Sequence, residues 1–249
     1  MKFSSKFFVA AMASVSLVAC SQADTATEKG AETETAEKAA WGYGEEDGPA
    51  KWGDLSEEYA ACSAGLEQSP IDLPAASEAN LITVTTNYGT TEAEVVDLGK
   101  TIQANFGEGM ALTSGDTEYG LVQVHMHTPS ENTVEGKAFP LTAHFVHASA
   151  EGAFAVLGIM FEEGDANPAV QAMLDNVGGK AEMDLTAMLP AELNAYNFPG
   201  SLTTPPCTEG VNWHVVSTPV TASAEQIAAL NAAMGNNARP VQPLNEREL

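Results

Sequence analysis

Residues 121–128 read LVQVHMHT and residues 141–149 read LTAHFVHAS. Both runs are rich in apolar and β-branched residues, and each predicts a strand. His125 and His127 are two residues apart, so their side chains leave the same face of a strand. His144 lies on the next predicted strand. If the two strands are neighbours, three imidazoles converge on one side of a sheet.

Three neutral imidazoles around an open coordination position form a catalytic zinc arrangement. Nitrogen ligands leave the ion strongly Lewis acidic, so that a bound water can lose its proton. Taken alone the pattern is weak, because strand histidines on one face are more often ordinary core or surface groups. His147 follows His144 by three residues and faces the opposite side of a regular strand. We therefore predict a structural role for His147, and also for His214.

Further strand-like runs indicate a β-rich domain, because they are rich in β-branched and aromatic residues and are separated by Gly, Pro, Asn or Asp. One predicted helix starts at a capping-box pattern, Ser223 to Gln226, and ends near Gly235. A second spans Asp165–Val177 with Pro168 in its first turn. The sequence predicts a mostly β, α+β fold, built as a single domain on one large sheet. The remaining predicted strands are Leu81–Thr86, Thr101–Phe106, Ala153–Phe161 and Val211–Val216.

The N-terminal residues 1–20 have the pattern of a bacterial export signal. Lys6 precedes the apolar run Phe7–Ala19, which has signal-peptide length and is too short for a good membrane span. The run ends at Cys20 in a lipobox-like pattern, which predicts acylation of Cys20 after the signal is removed. Ordinary cleavage after Ala23 is the alternative, and it would leave an N-terminus without lipid.

Residues 21–40 contain small, polar and charged residue types, and they predict a disordered acidic tether. Residues 41–249 have the length of one domain with a full core. The chain holds 34 Asp and Glu against 10 Lys and Arg, for a formal net charge of −24. This balance argues against binding to nucleic acid and, through charge, to an anionic membrane.

Four further segments accompany the histidine runs, and together they resemble alpha-type carbonic anhydrases. The wording of residues 127–132, HTPSEN, resembles the bacterial branch, and the resemblance covers residues 41–249. It implies a twisted, mainly antiparallel central sheet of about ten strands with short peripheral helices. It also implies a zinc-dependent lyase that interconverts carbon dioxide and bicarbonate. The four segments are WGYG at 41–44, QSPI at 68–71, SLTTPPC at 201–207 and NARPVQPL at 237–244.

The resemblance implies that hydroxide on zinc attacks carbon dioxide. Thr203 corresponds to the threonine that accepts a hydrogen bond from this hydroxide and donates one to Glu131, so that a lone pair faces the substrate. Gln123 corresponds to an acceptor that supports a zinc-bound histidine. The implied zinc ligands are His125, His127 and His144.

An apolar pocket for carbon dioxide is also implied, since an uncharged linear molecule offers little to hydrogen-bond. The backbone N–H of Thr203 would contact substrate, and Thr204 matches a position near bicarbonate. For the apolar positions, ordinary core packing is an equally good interpretation. The implied pocket residues are Val146, Val156, Leu202 and Trp213.

Bacterial relatives bridge the positions of Cys62 and Cys207, so the resemblance implies a disulfide there; two free thiols are the alternative. If Cys20 carries lipid, these two are the remaining cysteines of the chain. Export and a disulfide predict a protein outside the cytoplasm, periplasmic or held by lipid at the cell envelope. The sequence leaves monomer and homodimer open.

Two positions depart from the family pattern. Relatives usually have a carboxylate two residues before the third zinc ligand, where this chain has Thr142. Relatives with rapid turnover carry a proton-shuttle histidine, and Lys100 occupies its place here. A protonated lysine is a poor proton acceptor, so buffer is expected to carry the proton. Because the three zinc histidines are present, catalysis is favoured over a non-catalytic binding module and over an exported metal-binding protein without activity.

Overall fold

A twelve-stranded sheet is the frame of the protein in the computed structural model, which describes residues 39–249. The predictions for the export signal, for Cys20 and for nearly all of the tether lie outside these described residues. In chain order the strands are β1 (Asp72–Leu73), β2 (Ile82–Thr83), β3 (Thr85–Thr86), β4 (Thr90–Asp97), β5 (Ile102–Phe106), β6 (Ala111–Ser114), β7 (Thr117–His127), β8 (Thr133–Val134), β9 (Lys137–Ala138), β10 (Leu141–Ala148), β11 (Phe154–Glu163), β12 (Gly179–Asp184), β13 (Asn194–Ser201), β14 (Glu209–Val216) and β15 (Val220–Ala222).

The main path of the large sheet runs β12-β4-β5-β7-β10-β11-β14-β13-β2. Strand β6 pairs with β7 and β3, and β15 pairs with β11. The pairs β11–β14 and β11–β15 are parallel, and the other pairs of this sheet are antiparallel. A separate small sheet contains β1, β8 and β9. The predicted mostly β, mainly antiparallel fold on one large sheet is confirmed.

Short helices surround the sheet, as predicted. Helix α4 begins after the reciprocal capping box of Ser223 and Gln226 and ends at Gly235, whose φ is 67°. Helix α3 is shorter than the predicted span, because the side chain of Asn167 caps it immediately before Pro168. None of the described helices combines the length and the apolar character that a membrane crossing requires. The α-helices are α1 (Trp52–Leu55), α2 (Ala61–Ala64), α3 (Pro168–Asp175) and α4 (Ala224–Met234), and 3-10 turns occupy Glu57–Tyr59, Ala76–Glu78 and Leu185–Met188.

All six predicted strands are present, but the run predicted over 81–86 is divided into β2 and β3 at the buried Val84. The sequence pattern missed the short strands β1, β8, β9 and β15 and the longer strands β4, β6, β12 and β13. Strands β4 and β12 alternate single buried apolar residues with exposed charged or polar ones, so they lack a strong apolar run. Strand β13 contains Pro199, which favours a loop. This proline is tolerated because β2 pairs with β13 only at Asn194 and Ala195. At Pro199, β2 therefore requires no backbone N–H from β13.

The two faces of β7 and β10 separate the core from the histidines. Val124 and Phe145 point into the main apolar core. His125 and His144 point to the opposite face, and they lie directly across from each other in the β7–β10 ladder. The register of this pair therefore decides which side chains meet.

His147 and His214 are buried in the structure, away from the three clustered histidines. The Tyr88 hydroxyl hydrogen-bonds to Nε2 of His147, and Nδ1 of His147 lies 3.3 Å from the carbonyl oxygen of Ala155. Nε2 of His214 lies 2.8 Å from the Ser114 hydroxyl. Burial lowers the pKa of each of the two imidazoles to about 4. Both rings therefore stay neutral at neutral pH and serve the packing of the core.

The predicted disulfide between Cys62 and Cys207 is confirmed, with the Cα atoms 5.0 Å apart. The bond closes a chain separation of 145 residues and packs with the buried Trp52 and Tyr59. Gln68 Nε2 also donates to the carbonyl oxygen of Cys207 at 3.0 Å. The bond thus fastens the N-terminal helical layer to the segment that precedes β14.

Removing this bond by the paired change Cys62→Ala and Cys207→Ala should lower the free energy of unfolding by about 2–5 kcal/mol, because a long loop is no longer closed in the unfolded chain. Urea unfolding would measure the difference. Reductant should destabilise the wild type by a similar amount and leave the paired variant unchanged. Equal stability of oxidised wild type and variant would contradict the expectation.

The pH dependence of stability should reveal the neutral His147. Between pH 4 and 6.5 the unfolded chain binds a proton at this residue and the folded protein does not, so the free energy of unfolding falls as the pH falls. His147→Gln should reduce that slope by up to one proton, about 1.4 kcal/mol per pH unit. Urea unfolding in excess chelator measures both slopes without a contribution from metal loss. Identical slopes would show that His147 titrates normally in the folded protein.

Candidate metal centre

Three imidazoles meet on one face of the large sheet. The nitrogen atoms that His125, His127 and His144 offer to a metal all lie within 4.8 Å of one another. The ring centroids are separated by 5.0 Å for His125–His127, 5.4 Å for His125–His144 and 4.7 Å for His127–His144. The structure thus brings together the three ligands that the sequence predicts.

Hydrogen bonds behind the rings orient two of the imidazoles. Nδ1 of His125 donates to Oε1 of Gln123 at 2.8 Å, and Nδ1 of His127 donates to the carbonyl oxygen of Asn237 at 2.8 Å. With Nδ1 protonated, Nε2 of each ring presents a lone pair to the centre. Nε2 of His127 is buried without a hydrogen-bond partner among the described residues.

The surroundings of His125 and His144 favour the neutral form of these two imidazoles. Burial, and secondarily the neighbouring His127, lower the pKa of His125 well below its ordinary value. Burial also lowers the pKa of His144, and the other two imidazoles act in the same direction. Neutral imidazole nitrogens are the form that binds a metal, and three of them leave one position open on a tetrahedral ion. The donor set therefore fits zinc.

Glu131 is a fully buried carboxylate beside the cluster. Its Oε2 lies 3.5 Å from Nε2 of His127 and 3.7 Å from Nδ1 of His144. Its Oε1 accepts a hydrogen bond from the backbone N–H of Arg239 at 2.9 Å. Burial raises the pKa of Glu131, while His127, the Thr203 hydroxyl and Arg239 act in the opposite direction. Thr203 and Glu131 are thus adjacent, as the sequence resemblance implies.

Thr142 lies behind the cluster without contributing a charge. Its hydroxyl is buried and donates to the carbonyl oxygen of Ile159 on β11 at 3.0 Å. Within the described residues no hydrogen bond joins Thr142 to His144. The imidazole of His144 instead packs edge-on against Trp213, with a centroid distance of 5.0 Å.

An apolar wall adjoins the histidines. Val146 and Val156 pair across the β10–β11 ladder, and Val156 pairs with Trp213 across β11–β14. These three belong to one buried cluster, and Leu202 packs against it. The indole N–H of Trp213 donates to the carbonyl oxygen of Ser201 at 2.9 Å, which fixes the ring beside the loop that carries Thr203.

A cavity of about 230 Å³ opens at the cluster, and we call it the histidine cavity. Nζ of Lys100 lies 4.9 Å from the centroid of the Trp41 ring in its wall. The lining residues are Trp41, Tyr43, Leu98, Lys100, Thr101, Gln103, Gln123, His125, His127 and Thr204.

Sequence reasoning assigned no role to two residues that support the site. Asn237 accepts from His127 through its carbonyl oxygen, and its side chain donates to the carbonyl oxygens of Lys100 and Met126 at 2.8 and 3.0 Å. The buried guanidinium of Arg239 donates to Gln68 Oε1 and to the carbonyl oxygens of Ser69 and Cys62. Both residues belong to a segment that marked the resemblance, but their partners lie more than 100 residues earlier in the chain.

Comparisons with known proteins agree with this geometry. The family model described as eukaryotic-type carbonic anhydrase matches residues 47–249. A carbonic anhydrase of Pectobacterium carotovorum is 41% identical over 216 residues, which cover 83% of this chain and 88% of that relative. The alpha-carbonic anhydrase of Thermovibrio ammonificans, solved in complex with sulfanilamide, gives a TM-score of 0.78 at 41% identity. That match covers 85% of this chain and 99% of the Thermovibrio chain. That of Photobacterium profundum gives 0.76 at 42% identity, with coverages of 84% and 99%. The chain therefore belongs to the alpha, or eukaryotic-type, family of carbonic anhydrases, which are zinc-dependent enzymes.

Proposed function

We propose that this chain catalyses the reversible hydration of carbon dioxide to bicarbonate and a proton, with zinc held by His125, His127 and His144. The observation that carries the proposal is the convergence of three imidazoles beside an apolar wall. As in characterised carbonic anhydrases, zinc would supply the Lewis acidity that makes a hydroxide nucleophile available. The remaining chemistry rests on the side chains of this chain.

Thr203 and Glu131 orient the nucleophile. The Thr203 hydroxyl lies beside the buried carboxylate of Glu131, and we infer that it donates to this carboxylate and leaves its own oxygen to accept a hydrogen bond from the attacking oxygen. Glu131 is held in turn by the backbone N–H of Arg239. Because Thr203 can then only accept a hydrogen bond, the attacking oxygen must donate its hydrogen to Thr203. A lone pair of the attacking oxygen is left to face the substrate.

Carbon dioxide binds against the apolar wall of Val146, Val156, Leu202 and Trp213. An uncharged linear molecule loses little hydration there, and the wall excludes water from one side of the reacting atoms. The backbone N–H of Thr203 contacts the substrate, and Thr204, which lines the histidine cavity, lies beside the bicarbonate product.

Gln123 and Asn237 hold the rings of His125 and His127. Supports of this kind fix the tautomer and raise ligand basicity. Thr142 gives His144 no such support, because its hydroxyl carries no negative charge and donates to the carbonyl oxygen of Ile159 instead. We infer that the third ligand is the least firmly held of the three.

We also propose that the protein acts outside the cytoplasm, anchored by lipid on Cys20. The Cys62–Cys207 disulfide supports export, since such bonds persist in oxidising compartments. Mass spectrometry of the mature N-terminus tests the anchor: an unlipidated N-terminus at Asp24 would contradict it.

A stopped-flow assay of carbon dioxide hydration, with chelation and zinc add-back, tests the function directly. Activity that disappears with chelator and returns with stoichiometric zinc is expected. Zinc binding without hydration would support an exported metal-binding protein, and the absence of both would support a binding module.

Zinc content should distinguish ligands from the structural histidine. His125→Ala, His127→Ala and His144→Ala should each lose stoichiometric zinc and lower kcat/KM by at least about a thousandfold, because the ion is the source of the nucleophile. His147→Gln is the matched control, and it should retain one zinc per chain. Atomic absorption after gel filtration measures the content. Zinc loss in His147→Gln together with retention in His144→Ala would contradict the assignment.

Proton export should limit turnover in this enzyme. Lys100 lines the cavity where a shuttle would stand, and an ammonium group has no lone pair with which to accept a proton. The value of kcat should therefore rise with the concentration of an imidazole buffer, while kcat/KM stays nearly constant. Lys100→His should raise kcat at low buffer, since histidine accepts and releases protons near neutral pH. A high wild-type kcat that is insensitive to buffer would show that another relay operates.

A further inference from the structure

Lys100 is the single formally charged residue among the described residues that line the histidine cavity. Its side chain is half-buried, and its ammonium lies against the face of Trp41 at 4.9 Å from the ring centroid. Trp41 is fixed in turn by edge-on contacts with Tyr43 and Trp52, at centroid distances of 5.9 and 5.4 Å. A cation–π contact with a ring held in this way keeps the charge at the cavity.

The surroundings of this charge are strongly acidic. Five of the 34 acidic residues and four of the 10 basic residues precede residue 39, which leaves 29 acidic and six basic residues in the described part, a net charge of −23. Two of those six, Arg239 and Arg247, are buried, and Lys180 is paired with Glu92. An anion that approaches the domain is therefore repelled over most of its surface.

A further carboxylate, that of Glu131, is buried next to the cavity, 3.5 Å from Nε2 of the lining residue His127. Bicarbonate is an anion, while carbon dioxide is neutral. The charge of the site therefore acts on bicarbonate but has little effect on carbon dioxide. A fixed cation in the wall lowers the electrostatic free energy of the anion and leaves that of carbon dioxide nearly unchanged.

We propose that Lys100 draws small monovalent anions, bicarbonate first among them, into the histidine cavity and sets the affinity of the site for them. The inference rests on the proposed function, because bicarbonate is its product and its substrate in reverse. Hydration yields a proton and bicarbonate. The ammonium group of Lys100, which cannot accept the proton, thus attracts the bicarbonate. Lys100 acts by charge, through a cavity that remains open to solvent.

The ratio of the two kcat/KM values cannot reveal this role, because the equilibrium constant of the reaction fixes it for every variant. The affinity of the site for an anion is the quantity to measure. Cobalt(II) in place of zinc allows this by visible spectroscopy, since an anion that coordinates the ion changes its absorption. Thiocyanate is a suitable probe, because it is monovalent and remains ionised across the working pH range.

Titrations at an ionic strength of about 10 mM should show a dissociation constant that rises about threefold to tenfold in Lys100→Gln, as expected for one charge acting through partly solvated surroundings. Lys100→Arg retains the charge and should stay within about twofold of the wild type. Lys180→Gln is the matched control, since it removes one exposed lysine elsewhere and changes the net charge equally. At about 0.5 M of a salt whose anion leaves the cobalt spectrum unchanged, the difference between wild type and Lys100→Gln should shrink toward zero.

Three results would overturn the inference: an unchanged dissociation constant in Lys100→Gln, an equal rise in Lys180→Gln, or a rise in Lys100→Gln that persists at high salt. The second would assign the effect to net charge, and the third to cavity shape. Zinc-loaded wild type that hydrates carbon dioxide while any of these holds would leave the proposed function intact. A protein that binds neither cobalt nor zinc would refute both.

Discussion

The pairing of β7 with β10 is the constraint on which the site depends. In that ladder His144 lies directly opposite His125, and strand alternation places His127 on the same face. A slip of one residue would turn all the site side chains of one strand into the core. Val124, Met126 and Phe145 prevent such a slip, because each is fully buried in the main apolar core on the other face. Core packing on one side of the sheet thus determines the geometry of the histidine cluster on the other.

The C-terminal segment supplies hydrogen bonds that hold His127 and Glu131 in place. The side chain of Asn237 joins Met126 near the end of β7 to Lys100, two residues before β5, and its backbone carbonyl oxygen orients His127. Arg239 holds Glu131 through its backbone and the carbonyl oxygen of Cys62 through its guanidinium. Asn237 and Arg239, two residues apart, thus connect His127, Glu131 and the disulfide-bonded layer through buried polar contacts. A buried network of this kind has few alternative arrangements in which all its groups are satisfied.

The sequence predicted those features of the fold and the site that depend on residues only a few positions apart in the chain. Strand parity alone grouped His125 with His127 and separated His147 from His144. The capping box at Ser223 gave the start of α4, because its partners are three residues apart. Strand β13 escaped prediction, because the tolerance of Pro199 depends on which neighbour leaves its outer side free. The support of His127 by Asn237 was equally inaccessible, since a backbone carbonyl has no sequence signature and the two residues are 110 positions apart.

The clustered histidines and the residues that support them are far apart in the sequence, and this affects the order in which the site is assembled. The three imidazoles are all present once residue 144 has been made, but the acceptor for His127 and the donor for Glu131 come from residues 237 and 239. During synthesis the chain therefore carries the three clustered histidines long before it has the groups that hold His127 and Glu131. Contacts of such long sequence separation form late in folding, because loop closure must precede them. The cluster of imidazoles and the buried contacts that orient it are thus encoded far apart in the chain, and the last residues of the domain complete the site.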